Sequence, residues 1–169
     1  LELISNDYAM EFDAASSQYV SAGNPIELQI TGALTVSSWF KILNNSGDSV
    51  IVCRDNGNTA RNWFIYMTSA GKIAGYVRKS DDSTWGGSTL SPSVYDDGNW
   101  HHVAMVYTPS TSLILYIDGA AVDTDTTSIT SSINNEVADL TIGMWSRNPT
   151  SYNANYWDGD IDEVAVWNK

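Results

Sequence analysis

Apolar residues in this chain recur at every second position, and nowhere does a helical period persist for three turns. Nothing constrains the fold more, because a period of two puts successive side chains on opposite faces of a strand. The stretch SLILYIDGAAV is the clearest case. Leu113, Leu115 and Ile117 alternate, and Asp118-Gly119 is the pair favoured by a two-residue type I′ turn. In ALTVSSWFKI, residues Leu34, Val36, Phe40 and Ile42 share one face; in NWFIYMTS, Trp63, Ile65 and Met67 stand against Phe64 and Tyr66. With ADLTIGMW and DGDIDEVAVWN the count reaches roughly twelve short strands between Gly, Asn, Asp and Ser turns, which predicts an all-β, antiparallel two-sheet sandwich with almost no helix. Two polar stretches, 124–138 and 145–157, are too long for tight turns and read either as binding loops or as plain connections.

A length of 169 residues fits one domain with a sizeable core. The chain opens on Leu1 rather than a methionine, so residues 1–169 are expected to be a single domain cut from a larger protein. Twenty acidic residues against eight basic ones give a formal charge of −12, which argues against a nucleic-acid partner because phosphate is repelled. No apolar run approaches the ~20 residues that would insert into a membrane. The single cysteine, Cys53, rules out an internal disulfide and any CxxC site, and its apolar setting, SVIVC, reads as a small buried residue. Few Lys, Arg and Glu, with many Ser, Thr, Asn, Gly, Trp and Tyr, point to an extracellular, cell-surface or virion-surface location.

Six segments then appear in order: YAMEFDAASSQYVSAG, ALTVSSWFK, DGNWHHVAMVY, LYIDGAAV, LTIGMW and DGDIDEVAVWN. Together they resemble the laminin-G-like, concanavalin A-like lectin/glucanase jelly roll, a fold shared with pentraxins, over nearly the whole chain. The resemblance implies two packed sheets, one of them concave, with the chain ends adjacent. It also implies glycan binding on loops or on the concave face, and in many members a calcium ion. It does not fix the function, since the fold carries lectins, adhesion domains and glycosidases alike.

Both histidines of the chain, His101 and His102, are neighbours in one expected strand, so they face opposite ways and cannot share an ion or a substrate. One is expected to pack inward with its ring nitrogens bonded, the other to lie on the outer face. Asp158, Asp160 and Asp162 alternate near the end of the chain. Their spacing and type do not match the paired carboxylates of retaining hydrolysis, so catalysis is not expected. The resemblance implies instead a structural Ca²⁺ with Asp162 as a ligand and Glu11 or Asp13 offered from the first strand, Asp13 being taken as its partner. Asp55-Asn56 falls where pentraxins place a calcium-binding Asp-Asn pair. The acidic cluster that should accompany it after LTIG is missing, and MWSRNPTSYN stands there.

That leaves a loop site able to meet a ligand directly: Asp55, Asn56, Trp145, Arg147 and Asn148, with Trp85 and Tyr152. Trp85 in DDSTWGG and Trp145 beside a polar loop are the tryptophans least expected in the core. Sugar rings stack on such faces while Asp, Asn and Arg read hydroxyls. Trp39, Trp63, Trp100, Trp157 and Trp167 are expected to be core. The leading expectation is a non-catalytic, lectin-like module that binds a glycan or cell-surface polysaccharide as part of a larger surface or secreted protein. The alternative is a structural or adhesion domain of a virus or phage particle, or of a cell-surface protein, that makes protein contacts within a larger assembly.

Overall fold

The computed structural model describes residues 8–56, 60–81, 83–145 and 155–169. Strands are β1 (Met10–Phe12), β2 (Val20–Gly23), β3 (Leu34–Ile42), β4 (Ser49–Asp55), β5 (Arg61–Met67) and β6 (Ile73–Arg78). They continue as β7 (Trp85–Leu90), β8 (His101–Thr108), β9 (Ser112–Ile117), β10 (Ala120–Asp125), β11 (Leu140–Ile142) and β12 (Gly159–Trp167). The only helix among the described residues is a single 3-10 turn, Ile26–Leu28. Two six-stranded sheets result, ordered β1-β12-β3-β8-β9-β10 and β2-β11-β4-β5-β6-β7, and every named pairing is antiparallel. This is the expected jelly-roll sandwich.

Alternation builds the core between the sheets. Leu34, Val36, Phe40 and Ile42 of β3 face inward with Val103, Met105 and Tyr107 of β8, and the second sheet answers with Ile51, Val52, Trp63, Ile65, Met67, Ile73 and Val77. The expected hairpin is present: Ala120 pairs with Ile117, and both turn residues, Asp118 and Gly119, have positive φ, as a type I′ turn requires. Trp157 is fully buried and meets Phe40 edge-on, with ring centroids 5.9 Å apart. Just beyond it, Gly159 has φ +144°, and a Cβ there would run into the backbone of Lys41 and Ile42.

Three expected core tryptophans are on the surface: Trp39, Trp100 and Trp167 are 38%, 40% and 46% exposed. Trp39 lies one residue out of phase with Val36, Ser38 and Phe40, so parity turns it outward. Trp167 is displaced by a bulge between Asp162 and Ala165, where Glu163 has φ 48°. Trp100 precedes β8, with the Lys41 ammonium 6.0 Å from its ring centre.

The stretch after β10 is a connection rather than a free loop. It crosses the end of the sandwich and is bolted down by backbone groups. Thr130 donates to the Gly86 carbonyl, Asn134 to that of Arg78, and Ile133, 1% exposed, bridges Lys79. The buried Arg54 guanidinium holds the Glu136 carbonyl at 3.2 Å and the Asn24 side chain at 2.9 Å. Beside this crossing, the outer edge of β7 meets β10. Asp125 accepts the Ser88 backbone N–H at 2.9 Å, and Asp123 accepts that of Leu90 at 2.8 Å. Their other oxygens take the N–H groups of Thr127 and Thr124.

Candidate functional site

In the second sheet the residues that alternate out of the core form a cluster of their own. Val50 and Cys53 of β4 and Phe64 of β5 are buried beneath Tyr66, Tyr76 and Trp145 on the outer face. Phe64 is the hub. Its ring lies 5.3 Å from Trp145 in a stacked arrangement, 5.1 Å from Tyr66, 4.9 Å from Tyr76 and 5.8 Å from Trp85. Tyr76 in turn lies 4.8 Å from Trp85. The result is a continuous aromatic platform laid across β5, β6 and β7. Such rings offer π-faces to sugar C–H groups, and their own stacking holds them in place.

Polar groups frame the platform. Asp55 is fully buried and accepts the Trp145 indole N–H at 3.0 Å, which fixes the plane of that ring. Asn56 is spent on its own turn, accepting from the Ala60 backbone at 2.8 Å. Arg78 and Arg61 lie 4.8 and 5.9 Å from the Trp85 ring centre. The Tyr66 and Tyr76 hydroxyls meet at 3.5 Å, and burial, aided by Tyr76, holds the Tyr66 phenol well above the usual range. Beside Trp85 an open groove of about 480 Å³ runs to Ser88, Asp123 and Asp125. A second groove of about 420 Å³ is lined by Asp48, Ser49, Asn155 and Tyr156.

Of the expected ligand residues, the structure therefore gathers Trp85, Trp145 and Asp55 on one face. It assigns Asp55 and Asn56 to positioning Trp145 and closing the β4–β5 turn. Trp85 is the first residue of β7, not a loop residue. Arg147, Asn148 and Tyr152 lie outside the described residues. Sequence reasoning missed Phe64, Tyr66, Tyr76, Arg61 and Arg78 as site residues. The signal was there for two of them, since Phe64 and Tyr66 alternate against the core set Trp63, Ile65 and Met67.

The expected pairing of Asp13 with Asp162 around calcium is corrected by register. Met10 pairs with Ile161 and Phe12 with Gly159, so Asp13 lies past one end of this ladder and Asp162 past the other. Four residue steps separate their levels, roughly 13 Å along the strands. Asp13 caps its own turn, accepting from the Ala15 backbone at 2.9 Å and the Ser16 hydroxyl at 2.6 Å. Those two contacts, the hydroxyl's first, hold its carboxyl below the ordinary range. Asp162 accepts from the Glu163 backbone at 2.8 Å. Among the described residues no three acidic, histidine or cysteine side chains gather into a metal-binding group. This pair does not fit a shared calcium shell.

The histidines face opposite ways. His102 lies on the outer face against Trp39, ring centres 5.3 Å apart. His101 turns inward, meets Tyr95 edge-on, and is clamped by two carboxylates: Nδ1 to Asp118 at 2.8 Å and Nε2 to Asp97 at 3.2 Å. Burial of the ring opposes protonation, but the hydrogen bonds to Asp118 and Asp97 outweigh it, and the net shift is upward from 6.5. Asp97 is drawn down to about 2, first by Asn99 and then by His101. Because the folded ring holds its proton more tightly than the unfolded one, the clamp is at full strength below about pH 6.5. It weakens as pH rises through the folded value. The wild-type melting temperature should fall between about pH 6 and about pH 8, and His101→Gln should flatten that slope. Parallel slopes in calorimetry would show that the clamp contributes nothing.

No curated protein matches the chain at the sequence level. Among solved structures it is similar to the CBM40 of Ruminococcus gnavus IT-sialidase bound to α2,3 sialyllactose. The TM-score there is 0.70 at 16% identity, covering 95% of this chain and 89% of that one. It is also similar to the heptameric SAP-like pentraxin of Limulus polyphemus, with TM-score 0.61, 17% identity, and 89% and 75% coverage. Mouse laminin α1 domains LG4-5 give TM-score 0.60 at 14% identity, covering 88% of this chain and 38% of that chain. Identities this low speak for the fold alone. The family model described as the Concanavalin A-like lectin/glucanases superfamily matches residues 14–169, nearly everything that the two sheets are built from, and the chain belongs to that superfamily.

Proposed function

We propose that this domain is a non-catalytic carbohydrate-binding module of a larger surface or secreted protein, and that the aromatic face of the second sheet is its glycan platform. The observation that carries this reading is the platform itself: four rings from three strands, and Trp145 three residues beyond β11, all packed on the Phe64 hub, on a sheet face where only solvent would otherwise sit. Aromatic residues enriched on one face, backed by a buried carboxylate that sets one ring's plane, are what a stacking ligand needs. The similar CBM40 structure with bound sialyllactose supports the ligand class. The pentraxin and laminin neighbours support an extracellular setting.

A glycan array tests it. Wild type should bind at least one glycan class, and Trp85→Ala should bind the same glycan about tenfold or more weakly, in line with ~1–3 kcal/mol for an aromatic anchor. An array with no signal above background would overturn the carbohydrate reading. A signal unmoved by Trp85→Ala would move the site off this face.

A further inference from the structure

The aromatic platform leads off the side of its sheet. Phe64 pairs across the strands with Tyr76, and Tyr76 with Ser88, so a row that begins with two rings ends on a hydroxyl at β7. Ser88 and the 36% exposed Trp85 both line the groove of about 480 Å³ at the seam where β7 meets β10. Across that seam, β10 and its continuation supply Thr124, Thr127 and the half-buried Asp123 and Asp125. The acceptors there are fixed in place. Each carboxylate oxygen takes one backbone N–H: those of Leu90 and Thr124 for Asp123, those of Ser88 and Thr127 for Asp125. An ionised carboxylate has ~four lone-pair sites, so each keeps about two for a further donor. Among the described residues no basic side chain is paired with either aspartate, and none lines the groove.

Resting on the carbohydrate-binding reading above, we propose that the ligand is a neutral oligosaccharide that continues from the platform into the β7–β10 groove, where the hydroxyls of its further sugar units donate to Asp123 and Asp125. One unit packs at Tyr76 and Trp85, and the chain then passes Ser88 to reach the two carboxylates. Hydroxyls that donate to a carboxylate make charge-assisted hydrogen bonds, which are stronger than neutral ones. An acidic sugar in the groove would instead bring another anion up to two carboxylates, on a chain whose formal charge is already −12. A ligand too short to span platform and groove gains the platform alone.

Titration calorimetry compares cellotetraose, xylotetraose, mannotetraose and galactotetraose, each with its own disaccharide, and tetragalacturonate with its carboxyl-reduced form. At least one neutral tetrasaccharide should bind about tenfold or more tightly than its disaccharide, and tetragalacturonate should bind no better than its reduced form. Asp125→Asn removes an acceptor and should bring the tetrasaccharide-to-disaccharide ratio down towards one. Thr127→Phe should do the same by filling the groove. It keeps all four backbone hydrogen bonds to the aspartates, because Thr127 contributes only its main-chain N–H, and so it serves should the asparagine variant fail to fold. Equal affinity for every tetrasaccharide and its disaccharide overturns the extension into the groove and leaves the carbohydrate reading standing. A length preference that survives in both variants overturns the assignment to Asp123 and Asp125. Array signals confined to acidic glycans overturn the neutral ligand, and a blank array with no binding in calorimetry overturns both readings.

Discussion

Gly159→Ala should be strongly destabilising. Gly159 opens β12, a strand held between β1 and β3, and its φ of +144° is one that side-chain-bearing residues rarely adopt. The new methyl group would press on the Lys41 carbonyl and lie 3.0 Å from the Ile42 Cα. Both obstacles are backbone, and that backbone is itself paired in β3, so neither can step aside cheaply. Strain of ~1–3 kcal/mol and a clash of similar size give about 2–6 kcal/mol. That is a large part of the ~5–15 kcal/mol that stabilises a typical domain. At ~2–4 °C per kcal/mol the melting temperature should drop by roughly 5–25 °C. Gly47→Ala is the control: nothing lies within 4 Å of a Cβ there, and its melting temperature should stay near wild type. A Gly159→Ala protein that melts with the control would show that the β12 entry is built differently.

The Tyr76→Ala, Trp85→Ala double variant should lose glycan binding while remaining folded. Trp85 is 36% exposed and Tyr76 is half-buried on the outer face, so neither holds the sandwich core together. Each is expected to contribute ~1–3 kcal/mol as a stacking surface. Their rings are 4.8 Å apart, so the two losses are coupled and should not simply add. A combined loss of at least ~2 kcal/mol, about thirtyfold in Kd, is expected. Trp145→Ala is a poorer probe, because it also strips the buried Asp55 of a donor, and losing a hydrogen bond at a buried carboxylate lowers stability in its own right. Wild-type affinity in a folded double variant would relocate the site, with the polar groove at Asp48 and Tyr156 next in line.

The fold was legible because alternation is a local signal. Leu34, Val36, Phe40 and Ile42 of β3 and Leu113, Leu115 and Ile117 of β9 declare their face within ten residues, and Asp118-Gly119 declares its turn. Parity that was not followed through produced the errors. The pattern that buries Val36 and Phe40 already expels Trp39, and a bulge at Glu163, invisible in composition, does the same for Trp167. The site was legible in fragments only. Trp85 and Trp145 stood out as tryptophans in polar surroundings, but they are sixty residues apart and are joined through Phe64, which looks like an ordinary strand residue until three strands are laid side by side. Arg61 and Arg78 gain meaning only from cross-strand register. The supposed Asp13–Asp162 pair fails for the same reason, since adjacency of two strands says nothing about the level at which their carboxylates stand.

The two aspartates that face β7 have a consequence for how this domain behaves in company. The outer margin of a sheet normally offers a row of N–H groups to any passing strand. Here two of those donors, on Ser88 and Leu90, are already satisfied by side chains of the same molecule. A foreign strand arriving at this margin would have to displace two charge-assisted hydrogen bonds before making its first. Pairing of copies of the domain along β7 is therefore disfavoured, even where they are crowded at high density.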